Sequence, residues 1–251
     1  MEYYVKEDSI VRKIWGKGDT ILFIFAGSAA EFALNKAVDW LYFTGKLPAD
    51  PMGRLFSTVT YARKIVFSEN EEALKAIDKI TAIHKTVEEN RGARIPDWAY
   101  RDVLFMLIDY SIRSYEILER DLTVSEKEDV FQVFYRMGKQ MNLVGLPSDL
   151  QEWLIMRQHH LEQNLHYGEL TKDLFLQYKI HLGPVRYRLL RQGQKLVVPD
   201  RVNTLLSNGN TQWLKPVIFV YKLSRKIHLN NFLRNIILPD KYKNEIRELD
   251  R

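Results

Sequence analysis

Hydrophobic residues recur at the spacing of an α-helix along much of the chain, and polar cap residues precede many of these runs. The pattern predicts an all-α fold. Helices are expected over about 20–43, 50–67, 71–89, 98–119, 122–142 and 149–165. The last third is less regular, and residues 217–223 there suggest either a helix or a short strand.

Several predicted helices have recognisable start signals. Asp50 followed by Pro51 is typical of a helix start, because the carboxylate accepts free backbone amides and proline lacks a donor. Ser68 and Glu71 have the spacing of a capping box for the following helix. Further caps are expected at Asp97, at Thr123 or Ser125, and at Leu146-Pro147-Ser148.

His84 lies on the apolar face of the helix predicted over 71–89. The stripe on that face consists of Leu74, Ile77, Ile80 and Val87. A neutral imidazole facing an apolar interior needs a partner, and iron is one candidate. A core histidine bonded to a carbonyl oxygen is the alternative, and the spacing alone favours it.

Polar side chains share a second face of the helix that begins near Asp50. Arg54, Ser57, Thr58 and Tyr61 adjoin its core stripe, which is formed by Leu55, Val59, Ala62 and Val66. Since the flanking residues are also mostly apolar, we interpret this face as either the wall of a pocket or a solvated surface.

Two other polar groupings have helical spacing. Asp109, Arg113 and Glu116 lie in a very apolar segment, so they are expected to pair with one another or with a bound anion. His159, Glu162 and His166 could hold iron or zinc, although a solvated face is the more common outcome for such a group.

Composition excludes several kinds of chemistry. The 251-residue chain contains no cysteine, which rules out disulfides, thiolate haem ligation, iron–sulfur clusters and cysteine nucleophiles. This fits a reducing compartment, and a cytoplasmic location is expected.

The net charge of +5 is mild, so nucleic acid is not an expected partner. The apolar run over 21–35 contains Glu31 and is too short to span a bilayer.

Three spaced segments resemble a known family. They are Asp50-PMGRLFST-Val59, Ile83-HKTV-Glu88 and Asp109-YSIRSYE-Ile117. Their order and spacing are similar to those of the domain shared by latex-clearing-protein type rubber oxygenases and the fungal oxygenase of mycophenolic acid biosynthesis. The resemblance covers roughly residues 10–160, and it includes the apolar segment 21–32 and the segment 122–129.

This resemblance implies a globin-like helical core around a b-type haem. The histidine of the family's HxxV motif, here His84, would be the proximal iron ligand. The arginine and threonine of the RLxxT motif, here Arg54 and Thr58, would lie beside the haem on its distal side, and Arg113 is a further expected cofactor-binding residue. The expected catalytic set is Arg54, Ser57 and Thr58.

The chain departs from the family pattern at three places. Ser57 stands where rubber oxygenases have a lysine that can cap the iron, and a hydroxyl is a far weaker ligand than an amine. Glu88 stands where the family often has an arginine. The His-Pro pair that the family often has in its first apolar helix is missing.

We therefore expect one helical domain over residues 1–251, with a family-like core over about 10–160 and a helical extension over about 161–251. The expected function is that of a haem b oxygenase that activates dioxygen toward a small hydrophobic substrate, such as one with an alkene group. The alternatives are a non-catalytic haem protein acting as gas sensor or carrier, and a helical ligand-binding protein of the same fold without haem. The sequence predicts no oligomeric state.

Overall fold

The computed structural model describes residues 2–207 together with Pro216, and within these residues it contains helices and no strand. The all-α prediction is confirmed. The segment 217–223 lies outside the described residues. The helices are α1 (Ile10–Trp15), α2 (Gly18–Phe32), α3 (Val38–Phe43), α4 (Lys46–Ala49), α5 (Pro51–Phe67), α6 (Asn70–Arg91), α7 (Asp97–Leu118), α8 (Val124–Gln140), α9 (Leu150–Gln163), α10 (Glu169–Val197) and α11 (Asp200–Leu205).

The helix α7 forms the centre of the core. It packs against α1, α2, α8, α9 and α10, and its side chains are buried along most of its length. The closest partner is α2, whose apolar residues Ile21, Ile24 and Ala30 are completely buried. Among the described residues, no helix is both long enough and apolar enough to cross a membrane.

The prediction of one helix over 20–43 is wrong, because the chain turns between α2 and α3. Asn35 causes this turn by bonding outside the helix. Its Oδ1 accepts a hydrogen bond from the amide of Ala37 at 2.8 Å, and its Nδ2 donates to Asp102 at 3.0 Å. Lys36 then donates its amide to the carbonyl oxygen of Asn164 at 2.9 Å. Side chains of this type compete with the helical backbone for hydrogen bonds.

The predicted caps have mixed outcomes. Asp50 accepts a hydrogen bond from the amide of Gly53 at 2.9 Å, as predicted, and Thr123 forms a capping box with Glu126. The capping box at Ser68 and Glu71 is wrong, since α6 begins after Glu69 without a side-chain cap. The amide of Asn70 instead donates to the carbonyl oxygen of Glu2 at 2.9 Å, so a distant segment replaces the local cap.

Two other starts differ by one residue from the prediction. Asp97 is the first residue of α7 rather than its cap, and it places a negative charge in the positive first turn. Asp149 is itself the cap of α9, accepting from the amide of Glu152 at 2.9 Å. Such one-residue shifts at helix ends do not change which face is buried.

The close packing of α2 on α7 gives a stability prediction. An added Cβ at Gly27 would overlap the ring of Tyr110, so Gly27→Ala is expected to destabilise the protein by about 1–3 kcal/mol through overpacking. Gly193→Ala, in the interface of α10 with α2, is the matched control because its Cβ would lie 3.9 Å from Ala26. Urea unfolding should show Gly27→Ala to be less stable and Gly193→Ala to be unchanged or more stable. Equal stability of the two variants would contradict the packing described here.

Candidate functional site

The facing surfaces of α5 and α6 bring three of the predicted site residues together. Arg54 and Thr58 lie one turn apart on α5, and Arg54 Nη1 donates a hydrogen bond to Thr58 Oγ1 at 2.8 Å. His84 on α6 is near enough for the positive charge of Arg54 to lower its pKa. Arg54, Thr58 and His84 are all half-buried, so they form a polar site with restricted access to water.

His84 is held in its neutral form. Burial, together with the charge of Arg54, lowers the pKa of His84 to about 4, and the nearby carboxylate of Glu88 opposes this only in part. Its Nδ1 is buried and makes no hydrogen bond within the described part of the chain. In the alternative, a core histidine bonded to a carbonyl oxygen, this nitrogen would have a partner, and it has none among the described residues. A neutral imidazole with a free ring nitrogen is the form that can ligate a metal.

The ring of Tyr100, from α7, packs against this imidazole. The two ring centroids are 5.2 Å apart, at an interplanar angle of 79°. Glu88 Oε1 accepts hydrogen bonds from the hydroxyl of Tyr100 at 3.2 Å and from the amide of Ile95 at 2.8 Å. Glu88 therefore fixes the loop before α7 and the ring that supports His84. The sequence showed Glu88 only as a departure from the family and did not indicate Tyr100.

The remaining distal residue and the apolar stripe of α6 are less buried than expected. Ser57 is exposed, whereas Thr58 beside it is half-buried. On α6, Ile77 is buried, but Leu74, Ile80 and Val87 are only half-buried. The side of α6 that carries His84 therefore borders the protein surface rather than the deep core.

Arg113 belongs to a different part of the structure. Its Nε donates to Asp109 Oδ1 at 2.7 Å, so the expected pairing within α7 is present. Glu116 does not extend it, since its carboxylate instead binds Lys127 at 2.8 Å. The partners of Arg113 connect it to a group of buried charges, and its predicted role toward a cofactor remains a prediction.

We call Glu31, Asp102, Asp109, Arg157 and His160 the buried charge cluster. Arg157 Nη2 lies 2.7 Å from Glu31 Oε2 and 2.8 Å from Asp109 Oδ2. His160 Nε2 lies 2.7 Å from Glu31 Oε1, and its Nδ1 lies 2.6 Å from Asp102 Oδ1. All five side chains are buried, and together they join α2, α7 and α9.

The ion pairs of the buried charge cluster determine the charge states of Glu31 and His160. Burial alone would raise the pKa of Glu31, but Arg157 and His160 outweigh it and hold that pKa far below its ordinary value. Burial alone would lower the pKa of His160, yet the carboxylates of Asp102 and Glu31 beside its two ring nitrogens raise it. The cluster therefore favours a charged His160, opposite to the neutral His84.

Comparison with known proteins places the chain in a family. The sequence model described as the ER-bound oxygenase mpaB/B'/rubber oxygenase catalytic domain matches residues 15–217. The chain belongs to this oxygenase family. The match includes Arg54, Thr58 and His84, and it extends past residue 160, where the motif resemblance weakens. No curated protein and no solved structure matches the chain significantly.

The alternative metal triad of the sequence analysis is not assembled in this member of the mpaB/rubber oxygenase family. His159, Glu162 and His166 are all exposed. No three His, Cys, Asp or Glu side chains within the described residues are grouped so that they could hold a metal. The important histidine of α9 is His160 instead. Its spacing from Trp153 and Arg157, which are buried with it, is a helical signal that the sequence already contained.

The cluster predicts how stability depends on pH. Because the pKa of His160 is raised on folding, its stabilisation is present below pH 6.5, the ordinary value, and is lost as pH rises through the folded-state pKa. His160→Gln should cost about 3 kcal/mol below this pH, since it breaks buried ion pairs. The cost should shrink at higher pH.

Urea unfolding at a series of pH values measures this effect, and His159→Gln is the control because its side chain is exposed. The control should stay within about 0.5 kcal/mol of the parent. The difference between variants is the readout, since His84, with its lowered pKa, contributes stability in the opposite sense. A pH-independent difference between His160→Gln and the parent would refute a charged His160.

Proposed function

We propose that this protein is a haem b dependent oxygenase that activates dioxygen toward a hydrophobic substrate, for which an alkene is the expected reacting group. The observation that supports this most is the neutral His84, whose buried Nδ1 has no hydrogen-bond partner among the described residues and whose pKa is lowered by the charge of Arg54, the partner of Thr58. These residues occupy the positions at which the family's motifs have the iron ligand and the distal pair. Family membership supports dioxygen and a second substrate as the reactants.

The residues present fit a haem group. Iron ligation needs an unprotonated imidazole, and a pKa of about 4 keeps His84 unprotonated at physiological pH. The half-buried position of His84 beside exposed Ile83 and half-buried Ile80 gives the face of α6 an apolar character suited to a porphyrin. When bound, haem would supply the redox chemistry of dioxygen, which protein side chains lack.

The chain's own residues would bind, orient and stabilise charge. Thr58 holds the guanidinium of Arg54 in place, so its orientation is fixed before the reaction begins. Arg54 can then stabilise negative charge that builds on oxygen, and a preorganised donor shielded from water does this best. His84 would hold the iron. Ser57, which is exposed, would contribute at most a weak hydroxyl donor.

Aromatic side chains near Arg54 would suit an apolar substrate. Phe56 is buried and Tyr61 is half-buried on the helix that carries Arg54, so both remain candidates. Phe105 is not a candidate, because it packs in the core with its ring against Trp153 at 6.5 Å between centroids. It is therefore a structural residue of α7.

We further propose that residues 161–207 belong to the same domain as the site, because α10 packs against α2, α5 and α7. The absence of cysteine from the whole sequence supports a cytoplasmic location as part of this proposal.

A non-catalytic haem protein is the second candidate, and the departure at Ser57 favours it. A serine replaces the lysine that caps the iron in rubber oxygenases, so this chain need not share their reaction. The two candidates share His84 as ligand, and they differ in whether an alkene is consumed with dioxygen.

Loss of His84 should remove the cofactor. After reconstitution with haem, the parent is expected to have an intense Soret band that His84→Ala loses or shifts. Haem affinity should fall by more than the roughly 10–100-fold that losing an outer-shell partner costs a metal site. His159→Ala, an exposed histidine on α9, is the control and should keep the parent spectrum. A parent that binds no haem under these conditions would refute the haem proposal.

Arg54 should affect reactivity more than cofactor binding. Arg54→Met is expected to keep the Soret band and to slow dioxygen-dependent substrate loss by about 100–1,000-fold, the usual effect of removing one donor to a developing oxyanion. Arg63→Met is the matched control, because Arg63 lies on the same helix and stacks on Phe67. Substrate loss at the parent rate in Arg54→Met would contradict its distal role. Haem binding without any turnover in the parent would favour the sensor or carrier.

A further inference from the structure

The outer side of α10 exposes apolar residues that the site does not use. Leu176, Ile180 and Val185 are 52%, 63% and 67% exposed. Leu176 and Ile180 are separated by one helical turn and therefore share a face. Val185 follows the bend at Gly183, which has a left-handed φ of 72° and precedes Pro184. We call Leu176, Ile180 and Val185, with the neighbouring Lys179 and Arg188, the α10 face.

The inner side of the same helix is fully occupied. Leu174, Phe175, Tyr178 and Leu182 are buried, and they fix the first half of α10 against the rest of the protein. The exposed apolar residues are thus not an unfinished part of this packing. Helices with a second apolar side and basic residues near it are typical of contact with a membrane surface.

Basic residues outnumber acidic ones along this part of α10. Residues 174–199 include five Lys or Arg residues and no Asp or Glu, and Asp173, one turn before Leu176, accepts a hydrogen bond from the hydroxyl of Tyr42 at 2.8 Å. Lys179 and Arg188 are exposed, and no ion pair found among the described residues includes either of them. Residues 1–207 nevertheless contain equal numbers of basic and acidic residues, so the positive charge here is a local concentration.

We propose that the α10 face binds the surface of an anionic lipid bilayer, with Leu176, Ile180 and Val185 in the interface and Lys179 and Arg188 at the headgroups. Charge argues against the other occupants. Residues 208–251 contain nine basic and four acidic residues, so they carry the same sign as the face. A second copy meeting it through a two-fold axis would oppose identical positive charges. This proposal does not depend on haem or on catalysis.

Binding of the full-length protein to vesicles tests the apolar part. Sedimentation with vesicles of phosphatidylcholine alone and of phosphatidylcholine with phosphatidylserine should show binding to the anionic vesicles that weakens with added salt. Ile180→Asn should weaken that binding by about tenfold or more, because it removes an apolar side chain that would enter the bilayer interface and leaves the charge unchanged. Val124→Asn, at a position on α8 that is 74% exposed, is the matched control and should bind like the parent.

The basic residues are tested in the same assay. Lys179→Gln and Arg188→Gln should each weaken binding to anionic vesicles by about fivefold, the usual contribution of one basic residue near such a surface. Lys139→Gln, an exposed lysine on α8, should not change it. Equal binding to both vesicle types, or equal binding by Ile180→Asn and Val124→Asn, would overturn the proposal.

Two further readouts identify a different occupant. If part of the chain itself covers the α10 face, Ile180→Asn should lower the melting temperature while Val124→Asn does not. If a second copy covers it, sedimentation velocity should give a dimer that Ile180→Asn dissociates. Either result would also overturn membrane binding. An unchanged melting temperature and an unchanged mass, with weaker vesicle binding, are the results expected from the proposal.

Discussion

Arg157 makes the interaction on which the arrangement of the core depends. Its guanidinium binds Glu31 of α2 and Asp109 of α7, while it projects from α9, so three helices meet at one buried cation. Each charge would be very unfavourable in the core without its partners, because burial removes the hydration of an ion. The hydroxyl of Tyr110 donates to Glu31 at 2.6 Å and uses the remaining capacity of that carboxylate. The helices are therefore held in one relative position rather than merely packed.

This fixed core has a consequence for the site. The helix α7 carries Asp109 in the buried charge cluster near its middle and Tyr100 near its start. Because Arg157 fixes the position of α7, it also helps to fix the ring that packs against His84. The site residues Arg54 and His84 come from α5 and α6, which pack at the side of this core and are less buried. Such a division, a rigid centre with a more accessible site beside it, suits the proposed role, in which a cofactor and an apolar substrate enter the site.

His84 and His160 show how environment decides chemistry. His84 lies next to a cation and has lost its water, and both effects lower its pKa and leave a neutral ring. His160 lies between two carboxylates, whose close approach to the ring more than offsets the effect of burial and raises its pKa. A neutral ring can ligate iron, whereas a charged ring serves as an ion-pair partner. Residue type and burial alone would not separate these roles.

The sequence determined the features that depend on near neighbours. These include the helical class, the start of α5 at Asp50, the capping box at Thr123 and the placement of Arg54 with Thr58 on one face, all of which involve residues a turn or less apart. The family motifs added His84, since their spacing is fixed along the chain.

Tertiary structure alone decided the break at Asn35, the replacement of the Ser68 cap by Glu2 and the choice of His160 over His159. In each case the deciding partner is far away in sequence, as with Glu31 and His160, which are 129 residues apart. A local pattern shows which side of a helix is buried, but the partner that a buried polar group meets depends on how the helices pack.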